Sequence, residues 1–581
     1  MENNKFPSII SYKNFELIFF SILFLYFSSL NIYQMHDQHW TAMLDQDIKI
    51  IYNSLLVSSG YEQEYRHHPA YTTFLILGGI FKVCSLFFDN FTLQEVLSSN
   101  MIDQEFQKLF YIGRIVNSIY IFLIIFFIYK VLREFKISRS IALFAISFSV
   151  FFMSFYELLF LIRSEVVSIL MFLISFYFLI KFFKTNNIFH ILLTGLFFGF
   201  SMLAKIQIVF LFLTTLIALP FLINYFSASD RLNYLIKNSK ILGLSKIVLI
   251  LFILLFILIQ TFLAKIFLEN LNDAEFTFLQ NEDSFFFLFF VVFYFIFIKV
   301  LSKYNLVDSS QITVSLGLII SGFALCLIFV LLLDISNLIP FNKLNLIKLS
   351  NPIKFMTMHT FEVEGEKSII ITLKALTQAL AGKIELSAEF NEEYNPTILN
   401  IDTKIFFRNL HLLLFLSLML LSSFLKRNKI SIYLSAVFFT GIIIYYLTFL
   451  LRETIGYNIF VFPLYLILFS ILLNNLDKKY LLIFSSIFYL VFMIENIYLS
   501  SMYKNIFKRE PQVYSFCGID KWKNSENYEE NYNNQSYIKL VAGEDRWIRT
   551  FASKFYEVAY EYCIQLRDEE GNRESKFKIN S

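Results

Sequence analysis

The chain has 581 residues, of which 57% are hydrophobic, 19% aromatic and only 16% charged, and its mean hydropathy is +0.61. These values exclude an ordinary soluble globular protein and indicate a polytopic membrane protein, in which the net charge of +3 matters less than the side on which each charge lies. The 74 Phe, against 16 Gly and 8 Pro, favour helices with bulky packing faces over a porin-like barrel.

Apolar runs predict an all-α polytopic membrane protein with thirteen transmembrane helices. We divide the chain into a membrane domain, residues 1–500, and a C-terminal domain outside the membrane, residues 501–581. The predicted spans are 14–34, 113–132, 140–156, 164–182, 188–204, 206–226, 247–267, 285–302, 311–333, 408–425, 431–450, 457–474 and 479–500.

The apolar segment 68–88 decides the topology, because counting it as a span would reverse every later loop. If it does not span, the short loops on the side of the N-terminus carry an excess of Lys and Arg, as cytoplasmic loops do. We therefore predict a helix lying along the outer interface, with Thr72, Gly79 and Lys82 on one side. The expected location is a bacterial inner membrane, with the N-terminus cytoplasmic and the C-terminus outside.

This topology places three long segments on the outer side. The first, 35–113, begins with a stretch rich in Asp, Glu, His, Arg, Tyr and Trp, and we predict that it is the catalytic loop. The second, 334–407, is predicted to form a small α/β cap. The four cysteines have no metal-type spacing, which argues against a zinc site, and Cys517 could pair with Cys563 in an oxidising compartment.

Asp45 and Asp47 follow the first span and are one residue apart. Two carboxylates at this spacing can serve as a general base and its partner, or can coordinate a hard divalent cation. The same pattern is also common where a helix begins, because acidic side chains favour the N-terminal end of the helix dipole.

Three potential cations, Arg66, His67 and His68, stand just before Pro69 at the start of the predicted interfacial helix. A helix N-terminus with such donors can bind a phosphate. The alternative is that these side chains simply reach to the membrane surface.

Further charges fall at the outer ends of predicted spans. Arg114 opens the second span, Arg163 and Glu165 open the fourth, and Lys205 lies between the fifth and sixth. Charges at membrane depth are costly, so they suggest a functional site. With Asp45 and Arg66, these residues map to one leaflet, and we expect them to converge.

The order of these motifs resembles the GT-C superfamily of membrane glycosyltransferases, in the branch that contains protein O-mannosyltransferases and the lipid A aminoarabinose transferase. An acidic motif, Asp45-Gln46, is followed at fifteen residues by Gly60 and then by His68-Pro69-Ala70-Tyr71. Arg114, Arg163-Ser164-Glu165 and the segment 195–205 match later family elements. The match departs from the family at Gln46, at Glu165 and at Ala70, where Glu, Asp and Pro are usual, and Arg452, Tyr457 and Pro463 echo a late motif only loosely.

The resemblance implies an inverting transfer of a sugar from a polyprenyl-phosphate donor to an acceptor hydroxyl at the outer face. Asp45 would be the base, and Asp47 and Glu165 would orient the acceptor. The donor phosphate would be bound by Arg66, His67, His68, Arg114 and Lys205. No cofactor is expected, although Asp45, Asp47 and Glu165 could hold a divalent cation.

The acceptor would be a lipid, a glycan or a protein of the cell envelope, and membrane lipids but no nucleic acid are expected partners. Apolar grooves near Phe197, Phe198 and Phe210 could hold the isoprenoid tail. The competing hypotheses are a polysaccharide polymerase or flippase, a secondary transporter, and a scaffold that has lost activity. A transporter would carry its charges along a path through both leaflets, whereas an enzyme would gather them at one.

Overall fold

The structure is a computed structural model. It describes residues 12–35, 47–63, 70–99, 101–151, 161–226, 239–258, 281–304, 308–341, 429–449 and 459–474, with single residues and short pieces in 155–159, 228–236, 345–349 and 476–490. The predicted span 408–425, most of the predicted cap and the whole of 501–581, with Cys517 and Cys563, lie outside the described residues.

Every regular element in the described part of the chain is a helix. The α-helices are α1 Tyr12–Met35, α2 Asp47–Ser58, α3 Tyr71–Cys84, α4 Leu93–Ser98, α5 Ile102–Glu134, α6 Arg139–Ser147, α7 Ser164–Thr185, α8 Ile188–Ala204, α9 Val209–Tyr225, α10 Ser239–Leu258, α11 Asn281–Lys303, α12 Ser309–Ile335, α13 Lys429–Phe449 and α14 Phe462–Asn474. Five segments of this part are long and apolar enough to span a bilayer, and shorter apolar helices accompany them. The chain is a polytopic membrane protein, and the count of thirteen spans stays a prediction.

Contacts between α1, α5 and α7 define two ends of the helix bundle. Near one end, Asn31 of α1 donates a hydrogen bond to the Arg114 carbonyl of α5. Near the other, the Tyr129 hydroxyl of α5 donates to Glu16 of α1, and Glu134 of α5 pairs with Lys181 of α7. We call the end with Arg114 the site end and the end with Glu134 the opposite end.

Helix α5 differs from its prediction, because it begins at Ile102 and so extends eleven residues beyond the predicted span 113–132. Its 33 residues measure about 50 Å, well over the ~30 Å of a bilayer core. The early turns carry Phe106, Leu109 and Phe110 on one face, and all three are buried. The charged residues between them lowered the hydropathy and hid this extension.

Two other predicted spans differ in their bounds from the observed helices. The span 140–156 is the nine-residue α6 followed by a 3₁₀ turn at Phe148–Phe151. The span 247–267 begins instead at Ser239, with α10. Both differences are shifts at helix boundaries, and the apolar stretches themselves are helical where the structure describes them.

Helices α2, α3 and α4 form a separate layer at the site end. They share a small apolar core with the first turns of α5, to which Ile51, Leu55, Phe74, Phe81 and Phe106 contribute. The 14 residues of α3 measure about 21 Å, too short to cross a bilayer core.

Helix α3 lies across the ends of the spans. Thr72, at its start, donates to the Phe200 carbonyl near the end of α8, 2.7 Å away, and Lys82, near its end, reaches the Leu338 carbonyl just beyond α12 at 3.3 Å. Thr72 was predicted on one side of the helix with Gly79 and Lys82; it is buried against α8, whereas Lys82 is exposed. Helix α3 is therefore covered on this side by the bundle.

Helix α8 is held in close contact with α12. A Cβ built on Gly195 would overlap the Ile319 carbonyl oxygen, and one on Gly322 would overlap the Leu192 carbonyl oxygen. Such backbone contact, which small residues permit, is a common way to join helices in membranes. On neighbouring faces of the bundle, Phe198 and Phe210 are buried, and Phe198 stacks on Phe212. These two Phe rings are therefore ordinary core packing and do not line an open groove.

Candidate active site

A buried ion pair lies at the site end of α7 and α8. Lys205 Nζ is 2.9 Å from Glu165 Oε1, and the two side chains are only 3% and 2% exposed. Glu165 stands in the first turn of α7, where the helix dipole favours a carboxylate. Lys205 follows α8 in an extended conformation, with φ −156° and ψ 117°, which ends the helix and carries the chain toward α9.

Two serines fix the register that brings this pair together. The Ser201 hydroxyl donates to the Ser168 carbonyl at 2.7 Å, and the Ser168 hydroxyl donates to the Ser201 carbonyl at 2.9 Å. Ser168 lies three residues after Glu165 and Ser201 lies four before Lys205, about one helical turn in each case. The reciprocal bonds therefore lock α7 and α8 one turn below the ion pair.

Arg114 lies at the same end, inside α5, and is fully buried. It was expected to open the second span, but twelve residues of α5 precede it. Its guanidinium carbon lies 5.7 Å from the centroid of the Phe110 ring, and its carbonyl accepts hydrogen bonds from Asn31 and Ser118. A buried arginine with its backbone bound on two sides has a well-defined place in the bundle.

Helices α5 and α2 meet the start of α7 at Gly113. A Cβ on Gly113 would lie 2.6 Å from Ile162 and 2.8 Å from Ile51 of α2. Beside this contact, the Asn117 side chain donates to the Leu161 carbonyl at 3.0 Å. The neighbours of Arg114, the residues before Glu165 and the first turns of α2 are thus packed together.

The structure describes some of the predicted site residues and not others. Arg114, Glu165 and Lys205 lie at one end of the bundle. Asp47 is the first residue of α2, about one turn before Ile51. Asp45, Arg66, His67 and His68 lie outside the described residues, so their convergence on this end stays a prediction.

The segment that follows α12 packs against the outer layer. The Asn345 side chain donates to Gln63 Oε1 at 3.2 Å, with both side chains buried. The Tyr71 and Phe341 rings meet edge to face at 4.8 Å, and the Phe341 amide donates to Asp334 at 2.9 Å. These contacts fix the chain at Gln63 and at Tyr71, on either side of 64–69.

Among the described residues, no group of three or more His, Cys, Asp or Glu side chains is placed to hold a metal ion. Of the three acids that we considered for a divalent cation, Glu165 has one carboxylate oxygen on Lys205. Asp45 is outside the described part of the chain, so the expectation about a cation is not tested.

Comparison with known proteins bears on this arrangement of charges. Residues 106–257 match the family described as dolichyl-phosphate-mannose-protein mannosyltransferase. This part of the chain is similar to those membrane glycosyltransferases, which belong to the GT-C superfamily. The match covers about a quarter of the chain, and it includes Arg114, Glu165 and Lys205 but none of the candidates before residue 106.

The matched segment is therefore mannosyltransferase-like, and enzymes of that family take a lipid-phosphate sugar as donor. Neither the curated proteins nor the solved structures gave a match to the chain. The resemblance seen in the sequence motifs is confirmed at the level of the family. The roles of single residues are not tested by these comparisons.

Sequence reasoning overlooked the polar side chains that position the charges. Ser168 and Ser201 join the two helices of the ion pair, and Asn117 holds α5 on the residues before α7. A signal for the serines was present, because each is a small polar residue inside an apolar span, about one turn from a charge. The pairing of Gln63 with Asn345 had no local signal, since 282 positions separate the two residues.

Proposed function

We propose that the glycosyltransferase moves a sugar from its polyprenyl-phosphate donor to an acceptor hydroxyl at the outer face of the membrane, with inversion at the anomeric carbon. The observation that supports this most directly is the buried Glu165–Lys205 pair at the same end of the bundle as Arg114. The expected leaving group is a lipid phosphate. Cations held in place at one end of the helix bundle can stabilise the negative charge that develops on this phosphate.

In the proposed reaction, Asp45 accepts the proton of the acceptor hydroxyl while its oxygen bonds to the anomeric carbon. The bond from that carbon to the phosphate oxygen breaks, and its electron pair leaves with the polyprenyl phosphate. Lys205, Arg114 and Arg66, with His67 or His68, stabilise the leaving phosphate. Asp47 orients the acceptor. At the end of the step the sugar is bonded to the acceptor oxygen, the hydroxyl proton is on Asp45 and the polyprenyl phosphate has left.

Glu165 takes a different part from the one first expected for it. Its carboxylate oxygen Oε1 lies 2.9 Å from the ammonium group of Lys205. An ammonium group has three N–H donors, so a carboxylate that fixes one of them also orients the rest. We therefore assign Glu165 to positioning Lys205.

A transport function receives less support. A transporter or flippase would need polar groups along a path through both leaflets. Helix α7 has no charged residue between Glu165 and Lys181, which lie at its two ends, and α9 has none at all. The charges of these described spans are therefore confined to the two membrane surfaces.

Replacing Asp45 tests the proposed base. In purified enzyme supplied with a polyprenyl-phosphate sugar, Asp45→Asn should lower the rate of transfer by about 10²–10⁴-fold, as loss of a general base does. Asp89→Asn, an exposed acid at the same end of the molecule, is the matched control and should transfer at the normal rate. Full activity of Asp45→Asn would remove Asp45 from the mechanism.

The outer-face and inverting parts of the proposal need their own measurements. Sealed vesicles of known orientation, given an acceptor that cannot cross the membrane, should transfer sugar only when the site end faces the added acceptor. The anomeric configuration of the product, read by NMR, should be opposite to that of the donor. Retention of configuration would contradict a single displacement.

A further inference from the structure

A cluster of apolar side chains stands exposed at the end of α3. Leu86, Phe87 and Phe88 are 75%, 74% and 62% exposed, and Val83, in the last turn of α3, is 57% exposed. Soluble surfaces do expose single apolar residues, but a contiguous group of this size marks an interaction site. We call residues 83–88 the apolar loop.

The apolar loop has a defined conformation. The amides of Phe87 and Phe88 both donate to the Cys84 carbonyl, at 3.0 and 2.9 Å, and the Leu86 amide donates to the Val83 carbonyl at 3.2 Å. After the loop, Asn90 has a positive φ of 66°, and the chain changes direction there. The tight turn satisfies the backbone internally and leaves the side chains pointing outward.

The rest of the outer layer supports the loop from behind. Phe91 is buried, and its ring lies 6.3 Å from that of Phe88. Lys108 of α5 donates to the Asp89 carbonyl at 3.3 Å and lies over the Phe91 ring at 4.5 Å. The exposed tip is therefore fastened to α5 as well as to α3.

The loop continues an apolar strip on a membrane span. Helix α12 is one of the long apolar helices, and its exposed residues recur at helical spacing up to its site end. The strip consists of Leu325, Ile328, Phe329, Leu332 and Ile335 on the helix and of Leu338 just beyond it. Lys82 joins the two surfaces, because its Nζ contacts the Leu338 carbonyl.

We propose that the apolar loop is immersed in the lipid beside the site end of α12, and that acyl chains of that leaflet cover Leu86, Phe87 and Phe88. The strip on α12 faces the same lipid, and the loop begins where the strip ends. Lys82 is exposed next to the loop, where a long cationic side chain can reach the headgroups while its stem stays among apolar groups. Through Thr72 and the Phe200 carbonyl, the same helix is joined to α8.

The lipid contact would anchor the outer layer at a fixed height above the ion pair. Helix α3 joins the loop at one end to Tyr71 and the neighbouring segment 64–69 at the other. A loosened loop should therefore weaken binding of a lipid-linked donor more than it slows the chemical step. This consequence depends on the proposed function, whereas the contact with lipid does not.

Photocrosslinking in nanodiscs tests the contact itself. The full-length chain, with p-benzoylphenylalanine in place of Phe87, is irradiated in phospholipid nanodiscs, and the modified peptides are weighed. Tyr61 is the matched control position, since it is an aromatic residue of the same layer whose hydroxyl accepts a hydrogen bond from Gln94. We expect phospholipid adducts at position 87 and few or none at position 61.

Three results would overturn the proposal. A crosslink from position 87 to a second copy of the chain would make the loop a protein interface, and a crosslink within the chain would show that another segment covers it. An equal yield of lipid adducts at positions 61 and 87 would show that the loop has no special contact with lipid.

A kinetic measurement tests the consequence separately. The triple variant Leu86→Ser, Phe87→Ser, Phe88→Ser should raise KM for the polyprenyl-phosphate donor several-fold with kcat nearly unchanged, while Tyr61→Ser leaves both unchanged. An unchanged KM together with lipid adducts at position 87 would keep the lipid contact and refute its link to donor binding. If the triple variant does not fold, the crosslinking result still decides the proposal.

Discussion

The two ends of the helix bundle both carry ion pairs, but they expose them differently. At the opposite end, Glu134 is within 2.7 Å of both Lys181 and Lys184, and these lysine side chains are 31% and 27% exposed. At the site end, Lys205 and Glu165 are almost completely shielded. Partly exposed pairs stabilise little and serve to anchor helix ends in the membrane surface, whereas a buried pair is expensive to desolvate and needs another reason to be there.

The reason that we infer for the buried pair is catalytic. A protein that needed the pair only for stability would do as well with two apolar side chains. Around it, the serine bonds between α7 and α8 and the buried Arg114 hold the charges in place. Electrostatic stabilisation of a leaving phosphate requires such fixed positions.

Removing one partner of each ion pair should give the largest difference in stability between variants at the two ends. Lys205→Met leaves the Glu165 carboxylate buried without its cation, so we expect a loss of about 3–5 kcal/mol in the free energy of unfolding. Lys184→Met, at the opposite end, should cost less than about 1 kcal/mol, because Lys181 remains and solvent screens the site. The midpoint of thermal unfolding in detergent measures both.

The double variant Glu165→Gln, Lys205→Met distinguishes stability from catalysis. It removes both buried charges and should recover most of the stability lost in Lys205→Met, while the rate of sugar transfer stays about 10²-fold or more below normal. Recovery of transfer along with stability would show that the pair is structural.

Polar contacts that tie loops to each end should give the next largest difference. Asn345→Ala removes the buried donor of Gln63 and should cost about 1–3 kcal/mol. Asn474→Ala removes the acceptor of the exposed Ser138 amide at the opposite end and should change stability by less than about 0.5 kcal/mol. Thermal unfolding of the two variants side by side provides the comparison, and equal losses would mean that the two loops are held equally loosely.

The smallest expected effect concerns the pH dependence of α4 in the outer layer. Burial raises the pKa of the Glu95 carboxyl, but hydrogen bonds from the Thr92 amide and hydroxyl and from the Phe91 amide lower it more, so its pKa lies below the ordinary value. A lowered pKa in the folded state means that Glu95 stabilises α4 above the pKa it has when unfolded, about 4.3. This contribution is lost as the pH falls through the folded-state value.

Hydrogen exchange measures this effect locally. At pH 7, Glu95→Gln should reduce the protection of the α4 amides by the equivalent of about 0.5 kcal/mol, since glutamine can still make the capping bonds but without charge. As the pH falls and Glu95 becomes protonated, with intrinsic rates corrected, the difference in protection between the variant and the original chain should shrink. A difference that persists at low pH would mean that packing and not ionisation is responsible.

The helix bounds and the positions of single residues show how much of the fold was predicted correctly from the sequence. The apolar runs of α1, α7, α8, α9 and α12 were predicted within about three residues of their observed bounds, because ~20 apolar residues leave few alternatives to a membrane helix. Arg163 and Glu165 lie at the start of α7 as expected. The start of α5 was missed, since charges mixed among its apolar residues obscured a helix that leaves the membrane and packs on α2 and α4.

The sequence by itself determined the membrane class, the helical character and the resemblance to a glycosyltransferase family, because each depends on composition or on motifs read within one segment. Tertiary structure alone decided that Glu165 pairs with Lys205, that Thr72 faces α8, and that Gln63 meets Asn345. These contacts join residues 40 to 282 positions apart, and no local pattern reports them. They arise because helices brought together by close packing must satisfy their buried charges and polar groups with whatever partners the neighbouring helix presents.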